Sequence, residues 1–224
     1  MRPVRPSLSF LRTSHRGPRH GWSGVTGERN PTRNILLAGV GGHGVLALSR
    51  IVAEGALAAG FDVRKSEIHG MSQRGGSVLS EVRYGEDVRS PLIPKAAADV
   101  FVSLELLEAL RHLHRLRPDG ALLVNDQRIT PAPTGSGPVD YPEDAVERLR
   151  DTSSGARIVP AHDIAVELGE PRATNMVMLG AYAAITPEIE SAVWTQMIET
   201  TFRPSLRAVN LAAFRRGLEL SAEA

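Results

Sequence analysis

The 224-residue sequence contains no cysteine. That excludes disulfides, thiolate-held iron–sulfur clusters and thiolate zinc sites within this chain, and it fits a reducing compartment. Aromatic residues are scarce at 4%, too few for a stacking platform that grips single-stranded nucleic acid. No apolar run reaches the roughly 18–20 residues of a membrane span. The longest approach, Val45 to Gly60, is broken by Ser49, Arg50 and Glu54. A net charge of only +1 hides an uneven distribution. Residues 1–34 carry seven arginines against the single acid Glu28, a net +6, whereas the rest holds 19 basic and 24 acidic residues, a net −5. A mildly acidic body is a poor match for a phosphate backbone, so neither nucleic acid nor a membrane is expected as a partner.

What the sequence does have is enough apolar material, 42%, to bury a real core at this length. Residues 1–33 stand apart. They are rich in Arg, Ser, Pro and Gly, lack hydrophobic periodicity, and are read as a disordered N-terminal extension that cannot offset its ordering entropy. Their composition is also that of an organelle transit peptide, but the plain extension is preferred and the protein is expected to be cytoplasmic.

Residues 34–224 read as one α/β domain: a Rossmann-like, mostly parallel sheet followed by a helical C-terminal part. Asn34 to Gly39 is a short apolar run ending in glycine, the pattern of a buried parallel strand. Gly44 to Ala59 is helical, Gly60 sits where a C-terminal cap glycine belongs, and Phe61 to Ile68 is a second strand. This predicts a β-α-β unit with parallel neighbours. Further strands are expected at Ser77–Tyr84, Asp99–Leu104, Ala121–Asn125 and Arg157–Pro160, with Asp119-Gly120 as a turn. Helices are expected at 105–116, 161–168, 176–185, 188–200 and 204–220, the last two opening near Pro187 and Pro204. Four prolines between Thr130 and Asp144 predict a loop there.

Two glycine loops carry the chemistry. The first, Gly39-Val-Gly41-Gly42-His43-Gly44, joins a strand to a helix, the setting of a dinucleotide-type loop whose N–H groups face an anion. Its spacing is G-x-G-G-x-G, however, which brings the last glycine one residue early. Glu67 lies at the end of the second strand, where an acid would hold a ribose hydroxyl. A tight turn with no nucleotide remains an equal reading. The second loop gathers Glu67, His69, Gly70, Gln73, Arg74, Gly75, Gly76 and Ser77 at the carboxyl end of a strand. There His69 could carry a proton and Arg74 could clamp a carboxylate or phosphate. The plain alternative is a surface loop whose cations pair with Glu67.

Taken together, GVGGHGV, SEIHGMSQRGGSVLSEVR, ADVFVSLE and NMVMLGAYA resemble the gamma subunit or domain of 2-oxoacid:ferredoxin oxidoreductases, and most resemble the beta subunit of the indolepyruvate type. HGMSQRGGSV is the most specific of these strings. The chain departs from the family at His43, where Gln is common. The resemblance implies a subunit of an enzyme that oxidatively decarboxylates a 2-oxo acid, an aryl pyruvate such as indolepyruvate, with coenzyme A as co-substrate and ferredoxin as electron acceptor. It implies that thiamine diphosphate, Mg and the iron–sulfur clusters sit on a larger catalytic partner subunit. On this reading the chain binds no cofactor alone, supplies no catalytic or metal-binding residue, and is inactive in isolation. A free-standing NAD(P)- or nucleotide-binding protein of Rossmann type and a non-catalytic scaffold are the competing expectations.

Overall fold

Ile35, Leu36, Leu37 and Ala38 are all fully or almost fully buried, so the first apolar run is covered on both of its faces, as an interior strand must be. The structure, a computed structural model, describes residues 32–69, 75–130, 141–153 and 155–222. The first run is β1 (Arg33–Val40), followed by α1 (Val45–Ala58), β2 (Asp62–His69), β3 (Ser77–Gly85), β4 (Ala98–Ser103), α2 (Leu106–His112) and β5 (Leu116–Asn125). Then come α3 (Ala145–Thr152), β6 (Ala156–Val159), α4 (Ala161–Glu167), α5 (Thr174–Ala184), α6 (Ser191–Thr201) and α7 (Pro204–Ala222). The six strands form one sheet in the order β2-β3-β1-β4-β5-β6. The pairings β1–β4, β4–β5 and β5–β6 are parallel, and both pairings of β3 are antiparallel.

Alternation of side chains splits the core into two layers. Ile35, Leu37, Val100, Val102 and Leu123 face α1 and α4–α7, with Trp194, Tyr182 and Phe214 in that layer. Leu36, Ala38, Phe101, Leu122 and Val124 face the smaller layer, where Leu106 and Ala109 of α2 and Ala145 and Leu149 of α3 pack. A sheet sandwiched between helices is thus the architecture the parallel strands call for.

The order of the sheet corrects one expectation. β1 and β2 run in the same sense but are not neighbours, because β3 lies between them. The link from β2 to β3 is short, which favours an antiparallel hairpin over a crossover. β3 is also buried along most of its length and takes the interior place, leaving β2, with Asp62, Arg64, Lys65 and Glu67, at the edge, where charge is tolerated.

Smaller differences have local causes. Asp119-Gly120 is not a turn. It lies inside β5, at a break in register where Ala98 and Val100 of β4 face Leu116 and Ala121. Gly120 permits this, since a Cβ there would meet Leu116 Cδ1 at 2.5 Å. α2 stops at His112 and continues as one 3₁₀ turn, Leu113–Arg115. Pro187 does not open α6; it lies in the turn before it, where Ile189 N donates to Thr186 O at 3.3 Å. α3 carries little signal in the sequence, being only eight residues long with two buried positions, Ala145 and Leu149. Most of the proline-rich loop, 131–140, and the N-terminal extension through residue 31 lie outside the described residues.

Candidate functional site

Since β1, β4, β5 and β6 run parallel, their carboxyl ends share one edge of the sheet, where open α/β folds place ligands. β3 starts at that same edge because it runs the other way. Both glycine loops therefore arrive at one place. Gly41 N donates to Gly76 O at 2.8 Å, and Gly75 N donates to Gly41 O at 3.1 Å. These two bonds continue the β1–β3 ladder past its last register pair, Val40 with Ser77. The structure thus joins Gly41, Gly42, His43 and Gly44 to Gly75, Gly76 and Ser77 as one backbone-stitched unit. Gly42, His43 and Gly75 form its exposed rim.

Gly39, Gly42 and Gly44 of the first loop and Gly75 of the second are glycines for different reasons. Gly42 (φ +99°), Gly44 (φ +86°) and Gly75 (φ +74°) are in the left-handed region that side chains resist. Gly39, the next-to-last residue of β1, lies so close to the neighbouring segments that a Cβ would be 2.8 Å from Val45 Cγ2 and 3.1 Å from Leu104 Cβ. Gly44 precedes α1, and a Cβ there would meet Asn175 Nδ2 at 2.6 Å. Asn175, in the first turn of α5, is turned toward this loop, its Nδ2 3.4 Å from Gly44 O.

The loop is less free to bind an anion than its sequence suggests. His43 N donates to Val40 O at 3.1 Å, and Gly41 N is taken by Gly76. Two of the N–H groups that a phosphate loop would aim outward are thus used within the chain. Glu67 is not beside the loop either. It stands on β2, with β3 between it and β1, and its carboxylate pairs with Lys65 Nζ at 2.6 Å. His69 closes β2, but its side chain, like Gly70, Gln73 and Arg74, lies outside the described residues.

Residues that the sequence reading gave no role support this edge. Glu105 caps α2, its Oε2 accepting from Glu108 N at 2.8 Å. Its Oε1 accepts from Ile129 N at 3.2 Å and from the Tyr141 hydroxyl. Burial and the neighbouring Glu105 carboxylate push the Tyr141 hydroxyl well above its ordinary pKa. One turn on, Glu108 Oε2 accepts from Ser77 Oγ, and its Oε1 lies 3.1 Å from Arg111 Nε. His112 Nε2 is 3.6 Å from Glu108 and 3.4 Å from Ser77 Oγ. Burial alone would raise the Glu108 pKa. The neighbouring His112, the hydrogen bond from Ser77 and the Arg111 charge outweigh it and hold the carboxyl below its usual range. Farther along the edge, Asn125 Nδ2 donates to Leu104 O at 3.1 Å and its Oδ1 accepts from His162 N at 3.1 Å. No signal of spacing marks Glu105, Glu108 or Asn125. Apart from the local cap that Glu105 makes, their partnerships exist only once distant segments meet.

Nothing at this edge has the make-up of a metal centre: among the described residues no group of three or more His, Cys, Asp or Glu could hold a metal ion.

Comparison with known proteins bears on what such an edge serves. Residues 34–220 match the family described as pyruvate ferredoxin/flavodoxin oxidoreductase. The chain is 35% identical over 195 residues to the indolepyruvate oxidoreductase subunit IorB of Thermococcus kodakarensis, covering 85% of this chain and 96% of that one. It is 39% identical over 189 residues to the Archaeoglobus fulgidus protein of the same name, covering 82% and 92%. Among solved structures, the gamma subunit of a keto/oxoacid ferredoxin oxidoreductase from Geobacter sulfurreducens shares the fold. Its TM-score is 0.66 at 22% identity, with 86% of this chain and 99% of that chain covered.

Proposed function

Because the chain belongs to the pyruvate ferredoxin/flavodoxin oxidoreductase family, we propose that it is the smaller subunit of a 2-oxoacid:ferredoxin oxidoreductase acting on an aryl pyruvate such as indolepyruvate. The observation that carries this reading is the extent of the likeness to the IorB subunits, which runs along 96% of the Thermococcus protein. The reaction of such an enzyme is oxidative decarboxylation of the 2-oxo acid, with the acyl group passed to coenzyme A and electrons to ferredoxin.

The cofactors of that chemistry do not fit this chain. The sequence offers no cysteine for an iron–sulfur cluster. It also lacks the glycine–aspartate–asparagine pattern that would hold magnesium and the thiamine diphosphate. Both are assigned to a larger partner subunit, and this chain contributes no step of its own to their reactions. Its part is to present the stitched rim of Gly42, His43 and Gly75, with the neighbouring His69–Arg74 segment, to the partner's active site or its coenzyme A approach. No helix among the described residues is long and apolar enough to cross a membrane, and a complex in the cytoplasm is the setting we assign. The intervening β3 and the spent N–H groups of the first loop count against a free-standing nucleotide-binding protein.

The test is reconstitution. The purified chain, its larger partner and the two together are assayed with indolepyruvate, coenzyme A and a viologen dye. Turnover is expected from the mixture alone. Turnover by the isolated chain, or a mixture that reduces no dye with any aryl pyruvate, overturns the reading.

A further inference from the structure

We infer that Glu108 is a positioning residue that, through Ser77, holds the two glycine loops as one unit at the carboxyl edge of the sheet. The inference rests on the proposed role of those loops in the assembled enzyme. Gly75 and Gly76 have no side chains by which they could be fixed, and Gly75 takes a left-handed conformation. Such backbone is the least constrained in a chain. Ser77 is the first residue after them with a side chain, and its hydroxyl donates to Glu108 Oε2. From Gly76 the hold passes to Gly41 through the bond at 2.8 Å, and back from Gly41 to Gly75 at 3.1 Å. One carboxylate thus sits at the base of a chain of contacts that reaches both loops.

Glu108 is built as an anchor. Its side chain is only 5% exposed, in a place where an apolar side chain would pack at lower desolvation cost. It is oriented from three sides: Arg111 Nε at 3.1 Å, His112 Nε2 at 3.6 Å and Ser77 Oγ. Its own backbone is fixed by the cap from Glu105 at 2.8 Å. An unbranched apolar residue could fill the space but could not aim Ser77. What the carboxylate contributes is direction.

The experiment combines amide hydrogen exchange on the full chain, free and in the reconstituted complex, with steady-state kinetics. Glu108→Ala and Ser77→Ala are each expected to speed exchange at the Gly41 and Gly75 amides at least tenfold. The double variant should be no worse than the more affected single one, since both act through one contact. In the complex, each should lower kcat about tenfold with little change in KM for the 2-oxo acid. Glu108→Gln, which keeps an acceptor for Ser77 and the side-chain volume, should restore most of both losses. Unchanged exchange at Gly41 and Gly75 in Glu108→Ala overturns the inference, and so do effects of the two substitutions that simply add. Exchange decides the matter even if the parent complex reduces no dye, an outcome that would sink the proposed reaction and leave the anchor standing on its own measurement.

Discussion

Gly42 and Gly44 are two residues apart and share a positive φ, yet the structure sets them different tasks. A Cβ on Gly42 would meet nothing within 4 Å, whereas one on Gly44 would run into Asn175. Gly42→Ala is therefore expected to cost only the left-handed strain of an L residue, about 1–2 kcal/mol. Gly44→Ala adds a displacement of Asn175 and of the α5 start, for a total of about 3 kcal/mol. Urea unfolding of both variants checks this, and equal losses would mean that α5 yields freely. A second prediction concerns acid. The Glu108 pKa is lowered in the folded state, so its contribution to stability is complete above the unfolded-chain value of about 4.3 and is lost as pH falls through the lower folded value. The gap in urea midpoint between the parent and Glu108→Gln should be present above about pH 5 and narrow progressively as pH falls below the unfolded-chain value. A gap that does not narrow at all as the chain is taken through its acid unfolding range would show that charge is not what Glu108 supplies. The contrast in legibility is physical. A positive φ selects glycine and so leaves a mark in sequence. The partnerships of Glu108 with Ser77, 31 residues away, and of Asn175 with Gly44, 131 away, leave none.

Elements were readable where their signal was local. β1, α1 and the cap at Gly60 (φ +93°) stand where the apolar period and the glycine put them. The placement of β3 between β1 and β2 was not readable, because strand order depends on which strand has two apolar faces and how short its connection is. Asp119-Gly120 reads as a turn for a different reason: turn residues and bulge residues share a composition. The helical C-terminal part was recognised as helices, but not how closely two of them approach. At the crossing of α5 and α7, a Cβ on Gly180 would lie 2.0 Å from Phe214 O, and one on Gly217 would lie 1.9 Å from Val177 O. The backbones are in direct contact there, and the contact can be relieved only by parting the helices. Gly217→Ala is accordingly expected to lower stability by about 3 kcal/mol. Exposed Gly169, with a positive φ but nothing within 4 Å of a Cβ, should lose only about 1–2 kcal/mol as alanine. If thermal melts ranked the two variants the other way, the α5–α7 crossing would be looser than the structure has it.

For the whole molecule, charge and topology converge on the same edge. The acidic body disfavours nucleic acid, and the antiparallel β3, starting where β1 ends, brings both glycine loops to one rim. Arg74 precedes Gly75 in sequence, in the segment between β2 and β3 that lies outside the described residues. The sequence offers it two plain partners, Glu67 and Glu81. Both already have others. Glu67 pairs with Lys65 at 2.6 Å, and buried Glu81 holds Arg115 and accepts from Ile93 N at 2.6 Å. A guanidinium has the fork of donors that suits a carboxylate or phosphate, and we propose that Arg74 meets an anion brought by the complex. The candidates for that anion are a carboxylate of the 2-oxo acid, a phosphate of coenzyme A or thiamine diphosphate, and an acidic residue of the partner. Arg74→Ala should leave the melting of the isolated chain within about 0.5 kcal/mol of the parent, as surface changes usually do. In the complex it should reduce turnover or subunit association about tenfold, a loss of about 1.4 kcal/mol. Turnover measured against indolepyruvate and against coenzyme A distinguishes the anions, since KM should rise for the one that Arg74 meets. Gel filtration reports the third case, in which association weakens and neither KM moves. A variant that assembles and turns over like the parent would make Arg74 an ordinary solvated side chain, and the rim would then act through its backbone and Ser77 alone.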